Sequence, residues 1–357
     1  MDTQQKLILD NILSTAAEQK ASDIHLSVGS PPILRIDGKL ITLKDEAIIT
    51  KEFMQGFATI VLDVDQLKHL EKNKEIVLAY QFQKRARFRV NMFYQKRVLA
   101  AYLRLIGDRI IPINQLGLPN SIEKLGELKE GLLIFSGEFG SGKTTTSAAF
   151  IDHINRMKSK YILTVERPIE YIFSNQKCII EQREVGRDAI SFEQALSSIV
   201  QEDVDVLFVS ELSSPAIIKL VLTIATSGRL VIANVEADTI IKTLEHIMNS
   251  FSSDEQTQIL DQLSINLAGI VCQRLVSKIG GGQAAVAEIL TSTQATQSLI
   301  KEGSLYKLNN VIQTSREEGM ISLDWSLSEL VKTNQVQLDD ALKQANDPQQ
   351  LQYMLRA

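Results

Sequence analysis

The chain has 357 residues, which at roughly 150 residues per domain predicts two or three domains. Hydrophobic residues make up 44% of the sequence, enough for a substantial buried core, and the formal net charge is -5. That acidic balance argues against a surface that binds nucleic acid or anionic membranes through overall positive charge alone. A local basic patch is still compatible with it.

The two cysteines, Cys178 and Cys272, lie far apart in the sequence. They supply neither a disulfide framework nor a four-cysteine zinc site, so we interpret both as core thiols of a reducing compartment. No uncharged apolar run approaches the roughly 20 residues that span a bilayer, and the N-terminus lacks the basic start of a secretory signal. We therefore expect a cytoplasmic protein without a transmembrane segment.

The first 106 residues carry the pattern of a small α+β unit. Residues 6–20 place five apolar side chains on one helical face, namely Leu7, Ile8, Ile12, Leu13 and Ala16. A strand at 22–28 and a hairpin over 33–41, turned at Asp37 and Gly38, follow this helix. Helical patterns near 50–62 and 64–73 then precede three predicted strands, at 76–82, 87–95 and 98–106.

The predicted strand 87–95 has one apolar and one charged face. Phe88, Val90 and Met92 alternate with Arg87 and Arg89, which predicts burial on one side of a sheet only. From the pattern alone, the arginine-rich face is explained equally well by plain solvation and by a binding function.

The rest of the chain reads as a parallel sheet with crossover helices. Residues 107–120 are rich in Pro and Gly and lack periodicity, so we place a domain boundary there. From residue 132 onward, apolar strands at 132–135, 161–165, 206–209 and 230–233 alternate with helical stretches. One more strand is predicted at 285–290, followed by helical segments as far as 345.

A phosphate-binding loop is the strongest chemical signal in the chain. Gly137–Thr144 fits the pattern G-x-x-x-x-G-K-[ST] and joins an apolar strand to a helical stretch. In such a loop, backbone N–H groups and the positive end of the helix face the phosphates. Lys143 is predicted to reach the β- and γ-phosphates and the Thr144 hydroxyl to bind Mg²⁺. The remaining predicted nucleotide contacts are Gly137, Gly140, Ser141, Gly142 and Thr145.

Two strand ends supply candidate catalytic carboxylates. The strand 206–209 runs through Ser210 into Glu211, as in a Walker B element that holds Mg²⁺. The strand 161–165 ends at Glu166, which we predict to be the general base that deprotonates the attacking water; such a base contributes about 10²–10⁴-fold to a rate. For Glu166, the alternative is an ordinary surface charge at a strand end.

Together these residues resemble the type IV pilus retraction ATPases, the PilT and PilU family of RecA-like hexameric secretion ATPases. The resemblance covers nearly the whole chain, and Lys143, Thr144 and the strand-end acids occupy the family's positions. It also depends on six further motifs, at residues 21–32, 87–93, 168–170, 182–188, 264–276 and 311–314. Extension-type relatives are longer and usually carry a four-cysteine zinc element, so length and cysteine count favour the retraction branch.

The resemblance implies an architecture and a set of partners. It implies a PAS-like N-terminal domain (1–106), a linker (107–120), a RecA-like ATPase core (121–290) and a helical C-terminal segment (291–357). Six copies would form a ring, with ATP and Mg²⁺ between the two domains and phosphate contacts from N-terminal arginines. The arginine candidates are Arg87, Arg89, Arg97 and Arg104. An inner-membrane pilus platform protein and a retraction ATPase paralogue are the implied partners, which places the protein peripherally at the pilus base.

The active-site region departs from the family at several positions. Arg167 stands where the family has an aspartate, and it would either pair with Glu211 or Glu166 or face solvent. The family's two box histidines are replaced by Arg229 and Glu236. A carboxylate within ~6 Å of a γ-phosphate charge costs on the order of 3 kcal/mol per charge pair at an effective dielectric near 20. We therefore expect Arg229 and Glu236 to form an ion pair.

These departures leave two main functions open. The first is a hexameric Mg-ATPase that powers or assists pilus retraction. The second is a nucleotide-binding subunit that hydrolyses weakly or not at all and docks on an active retraction ATPase. A nucleic-acid motor fits the RecA-like core but neither the acidic charge nor the N-terminal unit, so nucleic acid is not an expected partner.

Overall fold

The computed structural model describes residues 3–36, 38–83, 86–107 and 109–356. The chain divides into two compact units by its internal contacts. Unit 1 comprises Met1–Arg109 and Arg167–Ile172, and unit 2 comprises Ile110–Glu166 and Phe173–Ala357. The predicted turn residue Asp37 lies outside the described residues.

The described residues of unit 1 form three helices and six strands. In chain order they are α1 (Thr3–Glu18), β1 (Asp23–Ser27), β2 (Ile33–Ile36), β3 (Lys39–Thr42), α2 (Lys51–Val61), α3 (Val64–Asn73), β4 (Glu75–Phe82), β5 (Ala86–Gln95) and β6 (Val98–Ile106). The helix starts have the local chemistry that satisfies free N–H groups: the Thr50 hydroxyl caps α2, and Asp63 forms a capping box with Gln66 at α3.

The strands of unit 1 form one antiparallel sheet in the order β3-β2-β1-β6-β5-β4. One face is apolar, because Phe88, Val90 and Met92 of β5 are buried with side chains of α1 and α2. On α1, Ile12, Leu13 and Ala16 are buried as predicted. The prediction was wrong for Leu7, which is 61% exposed, because Leu9 takes the buried position on that turn.

The part of unit 2 that the structure describes contains seven strands and the remaining helices. In chain order they are α4 (Ser121–Leu125), β7 (Gly131–Gly137), α5 (Lys143–Met157), β8 (Tyr161–Glu166), β9 (Ile179–Glu184), α6 (Phe192–Ile199), β10 (Val206–Val209), α7 (Pro215–Thr226), β11 (Leu230–Glu236), α8 (Ile240–Asn249), α9 (Ser253–Asn266), β12 (Leu267–Ser277), β13 (Gln283–Thr291), α10 (Gln294–Lys301), α11 (Leu308–Thr314), α12 (Leu323–Lys332), α13 (Leu338–Gln344) and α14 (Pro348–Arg356). Short 3₁₀ turns lie at Ile113–Gln115, Leu305–Lys307 and Arg316–Glu318.

The sheet of unit 2 has the order β13-β12-β7-β11-β10-β8-β9 and is parallel except for β13. Every residue of β7 is buried, since alternate side chains enter the hydrophobic clusters on the two faces. Leu132 and Ile134 pack on one face, and Leu133 and Phe135 on the other. A strand buried on both faces reads as a continuous apolar run, which is the pattern found in the sequence.

The fold class predicted from the sequence is confirmed: an α/β ATPase core, a smaller α+β unit and a helical C-terminal segment. Two strands were not predicted, β9 and β12, and the C-terminal helices continue beyond residue 345 to α14. Both cysteines are free and buried. Within the described ranges, no helix combines the length and the apolar character that a membrane crossing requires.

Candidate functional site

The loop Gly137–Thr144 connects the buried strand β7 to helix α5, as predicted. Two of its glycines are required by their surroundings. A Cβ on Gly137 would lie 2.5 Å from the Gln273 carbonyl oxygen, and a Cβ on Gly142 would lie 2.7 Å from Gln273 Nε2. Both residues also have positive φ, 153° and 87°. The loop is therefore pressed against β12 so closely that only hydrogen fits at these positions.

Lys143 begins α5 and turns back over the loop. Its Nζ donates hydrogen bonds to the carbonyl oxygens of Gly137, at 2.7 Å, and of Glu138, at 2.9 Å. The ammonium group is thus held above the loop, where the N-terminal end of α5 adds a positive partial charge. An anion that binds there meets both charges and the loop amides together.

Three carboxylates follow parallel strands and so reach the same edge of the sheet. Glu166 ends β8, Glu211 follows β10, and Glu236 ends β11. Glu166 is only 4% exposed, and its Oε1 accepts hydrogen bonds from Thr164 Oγ1 at 2.7 Å and from Gln182 Nε2 at 3.0 Å. Glu211 is half-buried and accepts from Ser213 Oγ at 3.3 Å. The structure therefore brings the predicted base and the predicted Walker B acid to the sheet edge that carries the phosphate loop.

Glu236 lies beside the phosphate loop. In the ladder between β11 and β7 it is the register partner of Gly137. Its exposed side chain lines a cavity of about 420 Å³ together with Glu138 and Phe139 of the loop and Asp238. A negative charge thus occupies the position beside the loop that the resemblance assigns to a histidine.

The predicted ion pair between Arg229 and Glu236 is wrong. Arg229 immediately precedes β11 and Glu236 ends it, so the length of one strand, on the order of 20 Å, separates them. The guanidinium group of Arg229 instead donates to the carbonyl oxygens of Val204 at 3.0 Å and Glu202 at 2.7 Å. Arg229 therefore stabilises the loop that leads into β10.

The four N-terminal arginines lie at different places in unit 1. Arg87 Nη2 donates to the carbonyl oxygen of Ile169 at 2.7 Å, and Arg89 forms a 2.9 Å ion pair with Glu170. Arg104 is the register partner of Arg89, on β6. Arg97 lies in the turn between β5 and β6, at the opposite end of these strands. The structure thus groups three of the four candidates and separates Arg97 from them.

Arg104 is held by a buried carboxylate. Its Nε donates to Asp23 Oδ1 at 3.0 Å, and Tyr102 Oη donates to the same oxygen. Burial and the contact with Asp23 raise the pKa of Tyr102 to about 12, so it is a donor at physiological pH. Arg104 therefore keeps a fixed orientation within unit 1.

Gln273, on β12, is a contact of the phosphate loop that the sequence-based prediction missed. Its Nε2 donates to the Ser141 carbonyl oxygen at 2.8 Å, and its Oε1 accepts from Thr146 Oγ1 at 2.6 Å. Gln273 is 3% exposed. The signal in the sequence was the motif Gln273-Arg274-Leu275, which carried the family resemblance but had no assigned role.

The residues present fit a magnesium nucleotide. Mg²⁺ in such sites is usually held by one or two protein oxygens plus phosphate oxygens and water. Among the described residues, no group of three or more His, Cys, Asp or Glu side chains is placed to hold a metal ion. Ser141 Oγ in the loop and Asn234 Oδ1 on the neighbouring strand β11 are buried, and neither has a hydrogen-bond partner among the described residues. Thr144 and Glu211 are the candidate protein ligands.

Comparisons with known proteins agree with this geometry. Residues 2–316 match the family described as "Type II/IV secretion system protein". Over 341 residues the chain is 34% identical to the type IV pilus retraction ATPase PilT of Pseudomonas aeruginosa, covering 96% of this chain and 99% of that protein. It is 33% identical over 351 residues to the type IV pilus ATPase PilU of the same organism, covering 97% and 91%.

A solved structure is also similar over nearly the full chain. It is the crystal structure of the pilus retraction motor PilT with bound ADP, with a TM-score of 0.84 and 37% sequence identity, covering 96% of this chain and 98% of that one. The fold that carries the phosphate loop in this chain is thus similar to that of a motor solved with bound ADP. The chain belongs to the Type II/IV secretion system protein family and is a P-loop ATPase related to the type IV pilus retraction ATPases.

Proposed function

We propose that this protein is an ATP-driven motor subunit that powers or assists retraction of type IV pili. The observation that carries the proposal is the phosphate loop with Lys143 held above it and the buried Glu166 at the same sheet edge. The similarity to PilT and PilU over nearly the whole chain supports pilus retraction as the process that consumes the ATP.

The residues have distinct proposed roles. The loop amides from Gly137 to Thr145 bind the phosphates, and Lys143 exchanges its bonds to the carbonyls of Gly137 and Glu138 for bonds to phosphate oxygens. When bound, Mg²⁺ neutralises developing phosphate charge, with Thr144 and Glu211 as its protein ligands. Glu166 accepts the proton of the attacking water, because Thr164 and Gln182 hold its carboxylate in one orientation.

The N-terminal arginines are proposed to supply further positive charge. Arg87, Arg89 and Arg104 have their guanidinium groups ordered by hydrogen bonds to acceptors within unit 1. Ordered guanidinium groups lose little entropy when they bind a phosphate. Arg97, the fourth candidate, lies in the turn between β5 and β6.

We propose a homo-hexamer that works at the inner membrane against a pilus platform protein.

A second candidate function is a hydrolysis-weak accessory subunit that docks on an active retraction ATPase. One observation favours it: Glu236, an exposed carboxylate, is the register partner of the first loop glycine. A negative charge there opposes the charge that develops on the transferred phosphoryl group. The fold of the nucleotide loop is the same in both candidates, so turnover distinguishes them.

The experiment is a steady-state ATPase assay on the purified chain. The motor function predicts phosphate release that falls at least about a hundredfold in Lys143→Ala and in Glu166→Gln. Lys332→Ala, an exposed lysine on α12, is the matched control and is expected to keep wild-type turnover. Near-zero turnover with tight nucleotide binding selects the accessory subunit, and undiminished turnover in both active-site variants rejects the assignment.

A further inference from the structure

Gln273 connects two parts of the phosphate-binding machinery that are separate in the sequence. It lies on β12, which pairs in parallel with β7, and its neighbour Cys272 is the register partner of Ser136. Gln273 therefore stands beside the point where β7 gives way to the loop. Its side-chain amide contacts Ser141 in the loop and Thr146 in the first turns of α5, and all three residues are at least 93% buried.

The two contacts need opposite hydrogen-bonding groups. The Ser141 carbonyl requires a donor, which Nε2 provides, and the Thr146 hydroxyl donates to an acceptor, which Oε1 provides. A primary amide carries both a donor and an acceptor on one planar group at any pH near neutral, whereas a carboxyl group of the same length does so only when it is protonated. An ionised carboxylate would place two acceptors here, and an aliphatic side chain would leave both partners without a bond.

The bond to the Ser141 carbonyl has a consequence for the loop. In a planar trans peptide, the carbonyl oxygen and the following N–H point in opposite directions. A Ser141 carbonyl turned toward Gln273 therefore turns the Gly142 N–H away from Gln273, toward the open side of the loop. A flipped peptide would present a carbonyl oxygen to the phosphates in place of this donor.

We infer that Gln273 is a positioning residue for nucleotide binding, whose amide fixes the Ser141–Gly142 peptide so that its N–H faces the phosphates. This inference rests on the proposed nucleotide function of the loop. The side-chain amide of Gln273 donates to the loop and accepts from α5, so its effect on the nucleotide passes through them. Gly142 lies so close to the same amide that a Cβ would not fit. This close contact helps to hold the Ser141–Gly142 peptide in one orientation.

The test uses Gln273→Glu, because a carboxyl group can replace the amide only when it is protonated. The affinity for MgADP is measured by calorimetry from pH 5.5 to 8.5 on the full chain and expressed relative to wild type at each pH, which cancels the titration of the nucleotide. We expect binding roughly thirtyfold weaker than wild type at pH 8.5 and recovery to within about threefold at pH 5.5.

Two variants separate positioning from charge or folding. Gln335→Glu makes the same change on an exposed loop and is expected to follow wild type at every pH. Gln273→Met keeps the size of the side chain but loses both hydrogen bonds, and should bind roughly tenfold more weakly at all pH values. Thermal unfolding of each variant shows that the chain is folded when affinity is measured.

Thr146→Val provides a second route if Gln273→Glu does not fold. It removes the donor to Gln273 without adding charge, and its effect should be less than additive with Gln273→Met because both changes break the same connection. Equal affinity of wild type, Gln273→Met and Thr146→Val overturns the inference. Failure of wild type to bind MgADP would instead reject the proposed function.

Discussion

Glu236 is the residue at which this chain differs most consequentially from what its family resemblance implies. Its carboxylate lies at the end of β11, beside the first glycine of the phosphate loop, and lines the adjacent cavity with Glu138 and Asp238. Lys242 pairs with Asp238 at 2.7 Å, so part of the local negative charge is balanced. The remaining charge should oppose the binding of a polyanion.

Removing that charge is expected to strengthen nucleotide binding. In Glu236→Gln we predict MgATP affinity up to about tenfold tighter than wild type, with a smaller gain at high salt because exposed charges are screened. Glu245→Gln, an exposed acid on α8, is the control and should leave affinity unchanged. An affinity that stays the same, or falls, in Glu236→Gln would show that this carboxylate does not act on the phosphates.

The sequence predicted the positions of residues that depend on local pattern, but not of those that depend on tertiary contacts. Lys143 and Glu166 follow directly from a loop pattern and a strand end, so their places were predictable. Gln273 is 130 residues beyond Lys143, and only the pairing of β12 with β7 brings it to the loop. The predicted ion pair between Arg229 and Glu236 does not form, because the two residues lie at opposite ends of β11, a strand of seven residues. Arg229 instead donates to a backbone carbonyl oxygen near its own end of the strand.

At the scale of elements, a buried polar cluster ties the C-terminal helices to the sheet. Arg274 of β12 donates to the carbonyls of Asp238, at 2.8 Å, and Gln344, at 2.6 Å. Asp324 of α12 accepts from the N–H groups of Asn346 and Asp347. Glu288 of β13 accepts from the N–H of Ile240 at the start of α8. The cluster thus joins the loop after β11 to the segment that leads into α14.

The protonation of Glu288 should make stability depend on pH. Burial raises its pKa from 4.5 to about 7; the N–H of Ile240 and the charge of Arg274 oppose this, while Asp324 and Asp238 add to it. The folded chain therefore holds a proton that the unfolded chain has lost, so the stability contributed by Glu288 is present below pH 4.5 and is lost as pH rises to about 7.

Glu288→Gln is the corresponding variant. We predict that its unfolding free energy, relative to wild type, increases between pH 5 and pH 8 by an amount on the order of a few kcal/mol. Urea titrations at both pH values measure it, and the exposed Glu302→Gln serves as control. A difference that does not change with pH would contradict the account of this cluster.

The elements that the sequence did not predict have physical reasons for being missed. Strand β9 (Ile179–Glu184) is an edge strand with four polar residues out of six, so it lacks an apolar run. Strand β12 begins directly after α9 ends at Asn266, with neither proline nor glycine to mark the change of period. The strands buried on both faces, such as β7 and β10, were predicted within a few residues of their ends.

At the scale of the whole molecule, the two units carry side chains of different chemistry. Unit 2 carries the phosphate loop and the acids Glu166 and Glu211, and unit 1 carries the ordered arginines of its sheet. The resemblance led to domain limits of 1–106, 107–120, 121–290 and 291–357, and these stay predictions. Function in either candidate role requires that the loop hold a magnesium nucleotide.

Calorimetric titration of the purified chain with a magnesium complex of a non-hydrolysable ATP analogue tests that requirement most directly. We predict saturable binding with a dissociation constant below about 1 mM. In Lys143→Ala the affinity should fall at least about tenfold, because the variant lacks the ammonium group that contacts the phosphates. Absence of binding by the wild-type chain at millimolar nucleotide, or equal binding by Lys143→Ala, would contradict this prediction.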